Sequence, residues 1–162
     1  MIFLTVGTQL PFERLVRAVD DWAAQHPEAS VTGQVGRTVF QPRALSTVSS
    51  LSPEQYYDMF EEADVVVAHA GMGTIISALE RAKPLLLMPR LASLNEHRND
   101  HQLGTAAHFK KYDTIRVVED ASRFGETLDR LLDDLPNMSA TPPEIRPSPA
   151  LLERLREFAL RA

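Results

Sequence analysis

The stretch His69 to Pro84, "HAGMGTIISALERAKP", sets Gly71 and Gly73 one residue apart, after an apolar run and before a segment of helical pattern. Main chain without side chains lets a ligand approach closely. The N-terminus of the following helix adds free N–H groups and a dipole worth about 0.3–1 kcal/mol toward a nearby negative charge. A diphosphate suits Gly71, Met72, Gly73 and Thr74 on those grounds. The same spacing also shapes a tight strand-to-helix turn that needs no ligand, and G-x-G by itself leaves both readings open.

A second group of reactive residues lies in "RLASLNEHRNDHQLGTA". Asn99, His101 and Gln102 carry directed donors and acceptors of the kind that read sugar hydroxyls. Glu96 and Asp100 have acid–base capacity, although carboxylates in a polar run are commonly solvated. His97 and His101 stand four apart, as two metal ligands on one helix face would. No third ligand is signalled and no H-E-x-x-H occurs, so the sequence gives no reason to expect a metal. His69 ends a buried strand, where a structural histidine and a ligand contact are both open.

Two familiar phosphate motifs are set aside. The chain has no G-x-x-x-x-G-K-[ST]. A dinucleotide fingerprint would need a small residue at Ile76 and an acidic residue where Arg90 stands. Arg90 suits a ribose phosphate, which keeps an NADP-dependent oxidoreductase reading in view.

The elements that must position these residues follow from the apolar pattern. "MIFLTVGT" reads as a buried strand, and Phe12, Leu15, Val16, Val19 and Trp22 make one helical face, with Pro11 in the first turn and Glu13 complementing the helix N-terminus. Residues 31–36 and 45–51 read as strands whose order in a sheet is not legible. Ser52, Pro53 and Gln55 form a capping-box pattern that opens a helix. Next come "DVVVAHAG", a helix from about Thr74 to Ala82, "PLLLMP", a helix from about Arg98 to Lys110, "DTIRVVED" and a helix from about Ala121 to Leu132. Such alternation implies an α/β fold, a parallel sheet with helices on both faces. In that architecture ligands bind beyond the carboxyl ends of the strands, where Gly7-Thr8 and Gly71 to Thr74 fall. The expected organisation is a core over 1–135, a proline-rich linker over 136–149 and an amphipathic helix over 150–162.

Composition narrows the classes. A chain of 162 residues suits one domain. Net charge −5 opposes sequence-independent nucleic-acid binding, and the lack of cysteine removes disulfides and thiolate zinc sites. Residues 1–30 lack the order of a secretory signal, and the longest apolar run falls far short of the roughly 20 residues of a membrane span. The expectation is a cytoplasmic chain whose membrane contact, if any, is peripheral.

Together, "VGTQLPFERLVRAVD", "ADVVVAHAGMGTIISALERAKPLLLMPR" and "NEHRNDHQ" resemble the glycosyltransferase family 28 C-terminal-domain family. Within it they are most similar to the small catalytic subunits of two-component exopolysaccharide glycosyltransferases, and to the relatives that add N-acetylglucosamine to dolichol-linked sugar. The resemblance covers roughly Met1 to Leu132. It implies one Rossmann-like half of a GT-B enzyme, the half that holds a UDP-sugar, with no cofactor and no metal required.

Position by position, the resemblance places uracil near Leu51, Ser52 and Pro53. It places the diphosphate near Gly71 to Thr74 with Gly7 and Thr8 close by. The sugar falls near His69, Glu96, Asn99, His101 and Gln102. Where the family commonly has a glutamate for the ribose, this chain has Ser77. The resemblance further implies a membrane-associated partner subunit that binds the acceptor, a lipid-linked saccharide, and it singles out no general base. The alternatives are a non-catalytic nucleotide-sugar-binding module and, because an isolated half leaves an uncovered face, a homodimer.

Overall fold

The computed structural model describes residues 1–139 and 141–143. Six parallel strands form one sheet: β1 (Ile2–Thr5), β2 (Val31–Gln34), β3 (Ser46–Val48), β4 (Val65–His69), β5 (Leu85–Met88) and β6 (Ile115–Val117). Their spatial order is β3-β2-β1-β4-β5-β6. The chain therefore builds outward from β1 to one edge, then returns to start again beside β1 with β4. Between β1 and β4 the connections diverge to opposite sides, the place where open α/β sheets form a crevice.

The strands are apolar without alternation because both faces are covered. Along β1, Ile2 and Leu4 point into one core layer and Phe3 into the other; Val65 and Val67 on β4 share the first layer, Val66 and Ala68 the second. Helices α1 (Glu13–Gln25) and α5 (Phe124–Asp134) close the first layer with Leu15, Val16, Val19, Phe124, Leu128 and Leu131. Helices α2 (Pro53–Glu62), α3 (Met72–Glu80) and α4 (His101–Phe109) close the second with Phe60, Ile75, Leu79 and Ala106. Each large side chain buried in this way contributes roughly 1.5–3 kcal/mol. Trp22 joins α1 to α5 by donating its indole N–H to Asp129 Oδ1 at 2.7 Å.

The capping box holds in full. The Gln55 N–H donates to Ser52 Oγ at 3.2 Å and the Ser52 N–H to Gln55 Oε1 at 2.9 Å, with Pro53 at the first helical position. Three expected boundaries shift. Pro11 precedes the N-cap residue Phe12 and stands outside α1. Helix α3 starts at Met72 rather than Thr74, so Gly73 lies within its first turn and Gly71 is its N-cap.

Helix α4 starts at His101 rather than about Arg98. Ahead of it, a 3-10 turn (Ala92–Leu94) leads to Asn95 in the left-handed region, and Asp100 Oδ1 accepts the Ala92 N–H at 2.8 Å. Side-chain bonds to the main chain of this kind compete with helix formation. A further 3-10 turn, Leu135–Asn137, stands at the start of the expected linker, and the expected terminal helix lies outside the described residues. Among the described residues no helix is long and apolar enough to cross a membrane.

Candidate functional site

A cavity of about 1070 Å³ opens at the carboxyl ends of β1 to β5, across the divergence between β1 and β4. It is large enough for a nucleotide sugar, since small-molecule sites commonly measure about 300–1,000 Å³. It gathers residues far apart in the chain: Gly7 and Thr8 after β1, Leu51 to Pro53 after β3, His69, Gly71, Gly73 and Thr74 after β4, Ser77 on α3, and His101 and Gln102 at α4. Met72, Glu96 and Asn99 stand outside the lining.

The glycines have different reasons to be glycine. A Cβ at Gly7 would meet Cε1 of His69 at 2.7 Å, and one at Gly71 would come under 3.0 Å from Nε2 of the same ring. Gly7 and Gly71 thus make room for an imidazole, and Gly7, with φ +77°, also occupies backbone space that L side chains rarely adopt. A Cβ at Gly73 would meet nothing within 4 Å. Gly71 and Gly73 both line the cavity, but of the two only Gly73 has open space where a Cβ would stand. Met72, Gly73 and Thr74 are the first three residues of α3, so their N–H groups have no acceptor inside the helix. Met72, half exposed, contributes its backbone position rather than its side chain.

His69 itself is held neutral. Burial, reinforced by the Arg90 guanidinium, pushes its pKa down to about 4. Its Nδ1 is buried without a hydrogen-bond partner. The ring packs under both glycine loops and lines the cavity, which joins the structural and the contact readings in one residue.

The β5–α4 segment corrects two expectations. Arg90 is 2 % exposed, and its terminal nitrogens donate to the carbonyls of Val6, Leu10, Pro11 and Glu96 at 2.6–3.1 Å. A guanidinium committed to four carbonyls is not presented to a ribose phosphate, and the NADP reading loses its residue. Glu96 is also buried. Its carboxylate accepts from Arg14 Nε and Nη2, both at 2.8 Å, and from the Leu91 N–H at 2.9 Å, on the far side of the loop from the cavity. It is a strut between α1 and this loop rather than a group offered to sugar.

Asn99 works through His101. Its Oδ1 accepts the His101 main-chain N–H at 3.3 Å and faces Nδ1 of the ring. In the tautomer that donates from Nδ1, Nε2 is a hydrogen-bond acceptor. Gln102 is complementary: its Oε1 accepts the Arg90 N–H at 3.1 Å, which leaves the amide NH₂ for the cavity. An acceptor and a donor side by side suit hydroxyl groups. His97 packs edge-on against His101, ring centroids 4.5 Å apart, and also lines the cavity.

On the other side, Tyr56 Oη and Thr74 Oγ1 lie 3.2 Å apart and fasten α2 to α3. Gln34, buried at the end of β2, accepts from Thr5 Oγ1 at 2.9 Å and donates to the carbonyls of Gly7 and Ser49 at 3.2 Å, tying three strand ends. Gln34, Arg37, Tyr56 and His97 were not assigned to the site from sequence. The glutamine interrupting the apolar run "VTGQVG" was the one local signal available. No aspartate or glutamate lines the cavity among the described residues, whereas Arg37 and Arg90 do. A carboxylate-free wall with two arginines and a helix N-terminus favours an anion. Among the described residues no group of three His, Asp or Glu side chains has metal-site geometry.

Comparison with known proteins follows the same line. The family model of the glycosyltransferase family 28 C-terminal domain matches residues 1–159, further into the C-terminal region than the motifs alone reach. The UDP-N-acetylglucosamine transferase subunit ALG13 of Mus musculus is 33% identical over 127 residues, and that of Homo sapiens 33% over 133, each across 72% of this chain. The chain spans 11% of the length of these curated relatives. The solved glycotransferase of kitacinnamycin superposes with TM-score 0.63 at 19% identity, over 82% of this chain and 35% of its own. Acinetobacter baumannii MurG gives 0.59 at 16%, over 84% and 42%. At such identity the likeness concerns the fold, a Rossmann-like half of the GT-B kind.

Proposed function

This chain belongs to the glycosyltransferase family 28 C-terminal-domain family, and from that premise we propose that it is the donor-binding catalytic subunit of an inverting UDP-sugar glycosyltransferase. The observation that carries the reading is the carboxylate-free cavity in which the open main chain of Gly73 and the first turn of α3 face the space. The diphosphate lies against the N–H groups of Met72, Gly73 and Thr74, with Gly7 and Thr8 opposite. Uracil lies by Leu51, Ser52 and Pro53, the ribose by Ser77, and sugar hydroxyls meet His101 and Gln102.

In the reaction an acceptor hydroxyl attacks C1 of an α-linked donor. The C1–O bond to the diphosphate breaks as the new C1–O bond forms, giving a β-glycoside, and the hydroxyl proton passes to a base. Negative charge grows on the departing UDP. Preorganised N–H groups and a helix N-terminus are suited to receive it, commonly the largest contribution to such catalysis. Among the described residues the wall offers a divalent cation no carboxylate, and charge neutralisation falls to the protein's own donors.

The acceptor is a lipid-linked saccharide held by a membrane-associated partner subunit, and the chain works at the cytoplasmic side of the membrane through that partner. The likeness to a transferase subunit supports the partner.

Calorimetry with UDP, UMP and UDP-sugars on the purified chain tests the donor site. Heat with UDP and none from a folded chain even at millimolar nucleotide are the two decisive outcomes, the second sinking the reading. Co-expression with an acceptor-binding subunit tests the assembly, with transfer expected from the pair and from neither part alone.

A further inference from the structure

Arg90 follows β5 and is 2 % exposed, yet no carboxylate stands within 4.0 Å of its guanidinium among the described residues. The nearest acidic side chain along the loop, Glu96, is bonded to Arg14 instead. The direct partners of the Arg90 cation are carbonyl dipoles: Pro11 at 2.6 Å, Glu96 at 3.1 Å, Val6 at 2.8 Å and Leu10 at 2.6 Å, with the Phe12 ring centroid 4.5 Å away. Glu96 acts on the Arg90 cation only through space while bonded to Arg14, and a buried charge without a directly bonded carboxylate is a costly arrangement. Burial lowers the pKa to about 10, which still leaves the group protonated at neutral pH.

The identity of the four carbonyls shows what the arrangement accomplishes. Three belong to the Val6–Pro11 loop, which carries Gly7 and Thr8, and the fourth to the loop that carries His97, His101 and Gln102. The Arg90 main chain extends the same link by donating to Gln102 Oε1. Turning the carbonyls of Val6, Leu10 and Pro11 onto Arg90 removes their negative ends from the cavity. The N–H groups of Thr8, Gln9 and Leu10 are left with no main-chain acceptor among the described residues. Successive free N–H groups in a loop make an anion-accepting concavity.

We propose that Arg90 is a positioning residue and the buried countercharge for the donor diphosphate: it holds both loops with their donors toward the cavity and supplies positive potential at the cavity wall. This inference rests on the donor-site reading above.

The test is calorimetry of UDP and UMP on the full chain carrying Arg90→Lys, Arg90→Met or Arg90→Ala, with the wild type measured alongside and thermal melts on each. Lysine keeps the charge but cannot fork to four carbonyls, and methionine keeps neither. UDP affinity is expected to fall about tenfold in Arg90→Lys, equivalent to about 1.4 kcal/mol, and further in Arg90→Met. UMP affinity should fall less, narrowing the UDP preference. Millimolar guanidinium should restore UDP binding to Arg90→Ala, and ammonium at equal ionic strength should not.

An equal loss for UDP and UMP, no loss in folded variants, or failure of even Arg90→Lys to fold would each overturn the proposal, the last by showing a role in folding alone. If the folded wild type itself binds no UDP, it is the donor-site reading that fails, and this inference goes with it.

Discussion

The imidazole of His69 fills the space that a Cβ on Gly71 would need, with Nε2 under 3.0 Å from where that carbon would stand. Gly73, two residues on, has nothing within 4 Å of the corresponding position. The two glycines of one motif should therefore fail in different ways. Gly71→Ala should lower stability by about 1–3 kcal/mol, the usual effect of overpacking, and His69→Ala in the same chain should recover part of it. Gly73→Val should leave the melting temperature nearly unchanged while UDP affinity drops at least about tenfold, equivalent to about 1.4 kcal/mol. Equal melting and equal binding in the two glycine variants would contradict the distinction.

Stability should depend on pH through His69. Burial and the Arg90 cation push its pKa in the fold down to about 4, against 6.5 for a free imidazole. Between those values the unfolded chain binds the proton and the folded chain does not. Folding stability from this group is complete above pH 6.5, falls as the pH drops, and is lost on passing about 4; the whole effect amounts to about 3 kcal/mol. Urea midpoints measured from pH 7.5 down to 4.5 should fall more steeply for the wild type than for His69→Gln. Parallel slopes would show that His69 is not the group responsible.

Glu96 should act on stability rather than on sugar choice. Its carboxylate is bidentate to Arg14 and faces away from the cavity. Glu96→Gln removes the countercharge from the mostly buried Arg14 cation, a loss of about 3 kcal/mol where such pairs are buried. A calorimetric donor panel should show the same ranking of UDP-sugars as the wild type, whereas Gln102→Ala, which removes an amide lining the cavity, should change the ranking. A reordered panel in Glu96→Gln would return that carboxylate to the sugar site.

What was legible in the sequence follows the range of the interactions. Both-faces-buried strands announce themselves as unbroken apolar runs, and the Ser52–Gln55 capping box spans four residues, so both can be read locally. The glycines after β4 stand at a strand end that lines the cavity. Their division of labour was hidden, because His69 also packs against Gly7 from across the sheet.

Arg90 looked like a phosphate ligand for the same reason. Its carbonyl partners Pro11, Leu10 and Val6 lie 79, 80 and 84 residues away, and Glu96 meets Arg14 across 82. Nothing within a local window distinguishes an arginine turned inward from one offered to a ligand. The late start of α4 has another cause: Asn99 Oδ1 accepts the main-chain N–H of His101, a local side-chain bond that competes with continuing the helix through residues 98–100. The order of the sheet, which decides that Gly7 and His69 become neighbours, depends on strand pairings that no single segment encodes.

Ser77 is the point at which this chain departs from the glutamate expected for ribose, and its position on α3 makes the departure testable. It lines the cavity half-buried, and its carbonyl accepts from Arg81 Nη1 at 3.4 Å within the helix, leaving the side chain available. Glu80 is on the same helix but is exposed and lies beside Arg81, outside the lining. A carboxylate placed at Ser77 would accept from two vicinal ribose hydroxyls where serine reaches one, and charge-assisted bonds of this kind contribute roughly 1.5–3 kcal/mol. It would also stand in a wall that otherwise carries no negative charge, opposing the diphosphate. Comparison of UDP with 2′-deoxy-UDP separates the two effects, because repulsion acts on both ligands and the hydroxyl contact on one. Ser77→Glu should raise the preference for UDP over the deoxy ligand by about tenfold, even if absolute affinity for both declines. An unchanged ratio would move the ribose away from α3, and with it the orientation proposed for the nucleotide.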